Sequence, residues 1–193
     1  EEAAKILAQD GIVGIPTETV YGLAANAFSP KAVAKIFEAK QRPFFDPLIV
    51  HIADVSQLGD LVQVVPESAL KLAKAFWPGP LTLVLPKKAI VPDLVTAGAP
   101  TVAVRVPGHP IAQELLRACG FPIAAPSANL FGRVSPTSSR DVLDQLEGRI
   151  DGVVEGGDCE VGVESTIIDL TGTQARLLRP GGISKEEIEA LIG

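Results

Sequence analysis

Short apolar runs alternate with amphipathic segments along this chain, and that alternation leaves few folds open. Residues 11–15, 47–53, 81–85 and 101–106 are dominated by Val, Ile, Leu and Ala, with little polar alternation. Strands of that kind need cover on both faces. Further short strands are expected at 121–125, 153–154, 166–170 and 175–178. Helices are expected over 2–9, from Ser29-Pro30 to about residue 40, over 67–77, 109–118 and 138–146, and from Ser184 onward. Their ends carry recognisable signals: Ser29 as cap ahead of Pro30, Ser138 three residues before Asp141, and Ser184 three before Glu187. Asp10-Gly11, Pro43 and Pro78-Gly79-Pro80 are stops. Residues 16–23 alternate polar and apolar without defining an element. The pattern predicts an α/β chain (α+β in some schemes): a three-layer arrangement with a mixed, twisted, open sheet flanked by helices.

No linker, repeat or low-complexity tract interrupts the 193 residues, so one domain over 1–193 is expected. Aromatics make up only 5% against 47% hydrophobic residues, so the core must be built from aliphatic side chains. The formal charge is −6, and no basic run exceeds Lys87-Lys88. That argues against an extended nucleic-acid face and predicts weak or no direct nucleic-acid binding. A small anion needs only a few local cations. Cys119 and Cys159 belong to no metal-spaced cluster, and a reducing, cytoplasmic setting fits them. No apolar run reaches membrane-spanning length and no signal peptide is recognisable, so no membrane partner is expected. His51 and His109 lack metal spacing, so no side-chain metal site is expected.

Polar residues gather where the strands end. Thr17, Glu18, Thr19 and Tyr21 follow the first strand; Lys40 and Arg42 precede the second; Ser127 and Asn129 follow the short strand at 121–125. Glu164, Ser165 and Thr166 open another, and Arg179 closes the next. Ligands of open sheets bind at such ends. Arg105 lies within an apolar strand and needs either an internal acid, with Glu164 or Asp46 as candidates, or an anionic ligand. Lys40 and Arg42 are phosphate ligands or a solvated helix terminus. Ser127 and Asn129 are turn formers or hydrogen-bond donors to a ligand. Neither a P-loop nor a GxGxxG motif is present, and no GxSxG elbow surrounds Ser127 or Ser165.

Taken in order, these segments resemble the YrdC-like family of threonylcarbamoyl-AMP synthases. The resemblance runs through Pro16-Thr17-Glu18-Thr19-Val20-Tyr21-Gly22-Leu23, Lys40-Gln41-Arg42-Pro43, Pro47-Leu48-Ile49-Val50-His51 and Trp77-Pro78-Gly79-Pro80-Leu81-Thr82. It continues through Val104-Arg105-Val106-Pro107, Pro126-Ser127-Ala128-Asn129, Gly132, Ser135-Pro136-Thr137, Gly162-Val163-Glu164-Ser165-Thr166 and Leu178-Arg179-Pro180-Gly181-Gly182. It implies a nucleotidyltransferase that forms threonylcarbamoyl-AMP and pyrophosphate from L-threonine, bicarbonate and ATP with magnesium. The product would pass to the tRNA threonylcarbamoyl-transferase machinery. It also implies a locally basic groove. Lys40, Arg42, Ser127, Asn129 and Arg179 would bind ATP; Thr17, Tyr21, His51, Arg105 and Ser165 would bind threonine. No side-chain nucleophile is implied, because catalysis would rest on positioning and electrostatics, chiefly through Lys40 and Arg42. Asp46 stands where the family usually has asparagine. Some relatives carry a second, C-terminal domain, which is expected to be absent here. Two alternatives stand beside this reading: a carbamoyl-adenylate-forming domain of the hydrogenase-maturation type, and a non-enzymatic RNA-binding module.

Overall fold

A computed structural model describes all residues, 1–193. The chain folds into one nine-stranded mixed sheet. Its strands are β1 (Val13–Ile15), β2 (Gly22–Asn26), β3 (Ile49–His51), β4 (Leu81–Pro86), β5 (Thr101–Arg105), β6 (Ile123–Ala124), β7 (Gly152–Val153), β8 (Thr166–Asp169) and β9 (Arg176–Arg179). The order across the sheet is β7-β1-β2-β6-β3-β5-β4-β8-β9. Pairs β1–β7, β3–β5 and β4–β8 are parallel and the remainder antiparallel.

The helices are α1 (Glu2–Ala8), α2 (Pro30–Lys40), α3 (Leu58–Leu61), α4 (Glu67–Phe76), α5 (Asp93–Thr96), α6 (Pro110–Cys119), α7 (Ser139–Leu146) and α8 (Lys185–Ile192). The expected caps form. Ser29 Oγ accepts from the Ala32 amide, and Ser138 and Ser184 complete reciprocal capping boxes with Asp141 and Glu187. The short α3 and α5 were not foreseen: one turn each gives no periodicity to read.

Alternation along β2 and β6 separates two cores. Leu23, Ala25 and Ala124 join a large cluster with side chains of α2, α4, α7 and α8. Ala24, Ile123 and Ala125 join a smaller one with Leu7 of α1 and Leu115 and Leu116 of α6. Successive strand residues point to opposite faces, so the two clusters lie on either side of the sheet and the three-layer expectation holds. The covering is unequal. The smaller cluster draws its strand residues from β1, β2 and β6 only. On that same face β3 presents Ile49 and His51, two residues apart, and β5 presents Arg105 opposite His51. What α1 and α6 leave uncovered becomes a cleft.

The sequence reading missed β2. Gly22-Leu23-Ala24-Ala25-Asn26 is poor in β-branched residues and weak as an isolated strand. It forms because it is inserted between β1 and β6 and buried on both faces.

Candidate active site

The cleft is a cavity of about 360 Å³ on the exposed part of that face. Its floor includes Ile49, His51, Ala125 and Ile167, and its walls carry Thr17, Thr19, Arg42, Asp46, Arg105, Ser127, Glu164, Ser165 and Arg179. Seven of the ten residues named from sequence therefore line one cavity: Thr17, Arg42, His51, Arg105, Ser127, Ser165 and Arg179. Topology explains the convergence. β8 is antiparallel to β5 through β4, so the start of β8 at Ser165 meets the end of β5 at Arg105. β9 runs back beside β8 and brings Arg179 to the same edge.

Lys40, Asn129 and Tyr21 do not line the cavity. Lys40 ends α2, is 1% exposed, and points beneath the Ser127–Asn129 loop. Its ammonium donates to the Ser127 carbonyl and, at 2.6 Å, to that of Asn129. Burial, reinforced by the nearby Arg42 charge, pushes it down to about 7. Asn129 spends its amide on the carbonyls of Leu130 and Arg133, while its buried Oδ1 has no partner. The Tyr21 hydroxyl donates to the Gly157 carbonyl at 2.9 Å and accepts from the Gly156 amide at 3.1 Å. These three side chains shape loops around the cleft.

The Ser127 loop is seated on β2. The Leu23 amide donates to the Pro126 carbonyl and the Ala128 amide to that of Tyr21, both at 2.8 Å. A Cβ on Gly22 would stand 3.2 Å from the Ala125 Cβ, so this position needs a residue that lets the loop approach. Gly181 has the same reason more acutely: a Cβ there would come within 2.5 Å of Ser165 and Thr166 backbone atoms. That glycine lets the turn after Arg179 press on Ser165.

Each cavity arginine carries a carboxylate. Arg42 Nη2 meets Asp46 Oδ2 at 2.9 Å and Arg179 Nη1 meets Glu164 Oε2 at 2.8 Å. The buried Arg105 pairs with Glu18. The groove that the resemblance implied to be basic is charge-compensated by these acids. The acid beside Arg105 is Glu18 and neither of the two expected candidates: Glu164 and Asp46 are committed to the other arginines. Arg105 also donates from Nη1 to Thr19 Oγ1 at 3.0 Å and from Nε to the Gly79 carbonyl at 3.2 Å. Three of its five N–H groups are thus engaged. Glu18 and Thr19 had been noted as polar strand-end residues but given no role. Sequence alone offered only an acid three residues after one buried strand and an arginine inside another, with nothing to pair them.

Ser165 is buried, bonded to Thr82 Oγ1 at 2.7 Å and accepting from Arg179 Nη2 at 3.1 Å. Thr17 Oγ1 donates to the Val20 carbonyl at 2.6 Å. His51 is pushed down to about 3 by burial and by Arg105 beside it. It is neutral near pH 7, and its Nδ1 has no hydrogen-bond partner. No group of three His, Cys, Asp or Glu side chains converges to hold a metal. No helix is long and apolar enough to cross a membrane.

Paired arginines, hydroxyls and one neutral imidazole around a cleft on a mixed sheet define an α/β domain with one polar pocket. The Sua5_yciO_yrdC family model, described as telomere recombination, matches residues 5–181, and the chain belongs to this family. The chain is similar to the threonylcarbamoyl-AMP synthase of Bacillus subtilis strain 168, with 57% identity over 100% of this chain and 56% of the relative. It is similar to the structure of Pyrococcus abyssi Sua5 complexed with L-threonine, with 54% identity and a TM-score of 0.98, over 100% of this chain and 56% of that one. The Escherichia coli YciO structure follows at 28% identity and a TM-score of 0.87, over 97% and 91%. The chain spans about half the length of the first two.

Proposed function

We propose that this domain is an L-threonylcarbamoyladenylate synthase, forming threonylcarbamoyl-AMP and pyrophosphate from L-threonine, bicarbonate and ATP. The supporting observation is the cleft itself. It places arginines held by backbone carbonyls beside a seated serine loop on a framework that matches a relative solved with L-threonine. In this reading the threonine amine takes up bicarbonate, losing water, to give a carbamate. A carbamate oxygen then attacks the α-phosphorus of ATP, and pyrophosphate leaves with the electron pair of the broken bond. The protein's part is to hold anionic groups together and offset their repulsion.

Arg42, Arg179 and Ser127 face the cavity and take the phosphates and their neighbourhood. Lys40 and Asn129 serve the nucleotide through the loop they hold. Thr17, His51, Arg105 and Ser165 form the threonine pocket. The two free N–H groups of Arg105 remain for a carboxylate, and Tyr21 supports the adjoining 156–157 turn. Magnesium would enter on the triphosphate, whose charge it offsets. Asp46 and Glu164 are the acidic side chains lining the cavity and would face it. The site of action is the cytoplasm, and the product passes to the machinery that modifies tRNA.

The test is incubation with ATP, magnesium, bicarbonate and a panel of amino acids, with detection of adenylate and pyrophosphate. Threonine-dependent product is expected. Product formation from carbamoyl phosphate without threonine would move the activity to the carbamoyl-adenylate class.

A further inference from the structure

The three arginine–carboxylate pairs of the cleft are not alike. Glu18 is locked: beyond Arg105, its second oxygen accepts from the Gly108 and His109 amides at 2.8 and 3.2 Å. Asp46 and Glu164 are much more open, with side chains 37% and 38% exposed against 13% for that of Glu18. Asp46 has no side-chain partner other than Arg42. Glu164 has one, the Ser135 hydroxyl, which donates to its other oxygen at 3.0 Å.

Both arginines have backbone acceptors besides these carboxylates. Arg42 donates from Nη2 to the Pro47 carbonyl at 3.0 Å and from Nε to that of Asp46 at 3.4 Å, and its guanidinium lies 5.9 Å from the Phe131 ring centre. Arg179 donates from Nε and Nη2 to the Ser165 carbonyl at 3.1 and 3.0 Å, which leaves Nη1 for Glu164. In both cases backbone acceptors fix the guanidinium and an exposed carboxylate sits on part of it. Removing the carboxylate would leave the arginine aimed as before, with a donor facing the cavity.

We propose that Asp46 and Glu164 are exchangeable counterions, occupying on Arg42 and Arg179 the positions that phosphate oxygens take when a polyphosphate binds. The proposal rests on the reading of the cleft as a triphosphate site. A pair whose carboxylate is partly exposed is weaker than a buried one, whereas a phosphate offers several charged acceptors to the same fork. Exchange therefore favours the ligand, but each displaced carboxylate remains near the incoming anion and opposes it. The two acids thereby lower affinity for a bare polyanion. For Glu164 the Ser135 hydroxyl supplies a partner after displacement.

Inorganic pyrophosphate is the probe, titrated calorimetrically in EDTA at low ionic strength, with folding of every variant checked by its thermal transition. Asp46→Asn and Glu164→Gln keep shape and remove charge. Each should bind pyrophosphate roughly three- to tenfold more tightly than the wild type, with the gain shrinking as salt is added. Arg42→Ala and Arg179→Ala should bind it more weakly. Weakened arginine variants together with unchanged or weakened carboxylate variants would overturn the counterion role and leave the phosphate site standing. Wild-type affinity in both arginine variants would instead remove the triphosphate reading, and the counterion role with it.

Discussion

Glu18 and Arg105 lie 87 positions apart in the chain and form a buried ion pair beneath the cleft. Through this pair the loop after β1 is tied to the end of β5, and through the second Glu18 oxygen to the start of α6. Removing one member of a buried pair leaves an uncompensated charge, which costs about 3–5 kcal/mol. Glu18→Gln should therefore lower unfolding free energy in urea by about 3 kcal/mol at pH 7. A loss under about 1 kcal/mol would mean that the pair behaves as an exposed one and does not hold the cleft together.

The framework was readable in the sequence wherever a local signal carried it. Ser29-Pro30, Ser138 with Asp141 and Ser184 with Glu187 announced three helices by their caps. The apolar runs gave β1, β3 and β5, somewhat longer than the hydrogen-bonded segments, and β4, one residue shorter than the strand. β2 could not be read, because glycine and alanine become a strand there only through their neighbours. For the site, residue type was informative and direction was not. Lys40 and Arg42 are two apart, yet Gln41 adopts a left-handed conformation with φ of 54°, so the two cations separate. One turns under a loop and the other into the cavity. The partner of Arg105 was equally hidden, because it sits in the loop after β1 and only the fold brings that loop to the end of β5.

His51 should make stability sensitive to acid. Its folded pKa lies at about 3, below the value near 6.5 of an unfolded imidazole. Between those values the unfolded chain binds a proton that the folded one refuses. The stability is complete above about pH 6.5 and is lost as pH falls toward 3. From pH 7 to pH 5 this one group should remove roughly 2 kcal/mol. His51→Leu should show a correspondingly smaller loss in urea denaturation at the two pH values. Parallel losses in the two proteins would place the acid sensitivity elsewhere.

Lys40 should act in the opposite pH range. The resemblance casts Lys40 with Arg42 as an ATP ligand, which would make Lys40→Ala impair ATP-dependent activity far more than folding. Burial changes that for Lys40, because its removal withdraws two bonds from the Ser127 and Asn129 carbonyls. Its folded pKa of about 7 lies below that of an unfolded lysine near 10.4. Between those limits the unfolded state binds the extra proton, so the cost of burying the ammonium is relieved as pH rises. The wild type should gain stability relative to Lys40→Met between pH 7 and pH 10, followed by urea midpoints. A constant difference would show that Lys40 keeps an ordinary pKa.

Tyr21 and Ser165 were both assigned to threonine by resemblance, and the structure sets them in different positions. Ser165 lines the cavity, whereas Tyr21 spends its hydroxyl on the backbone at Gly156 and Gly157. Tyr21→Phe removes a donor and an acceptor and strands two backbone groups. A loss of about 1–3 kcal/mol in stability is expected. If threonine does not touch the phenol, the threonine concentration for half-maximal rate should change less than about twofold, a shift of under 0.5 kcal/mol. Ser165→Ala should raise the threonine requirement several-fold, through one lost neutral hydrogen bond of about 0.5–1.5 kcal/mol, and should also cost stability, because Thr82 Oγ1 and Arg179 Nη2 each lose a partner. Steady-state titration of threonine at saturating ATP and bicarbonate, alongside urea denaturation of both variants, separates the roles. A large rise in the threonine requirement of Tyr21→Phe with unchanged stability would return the phenol to the substrate pocket. It would also imply that the 156–157 turn moves when threonine binds.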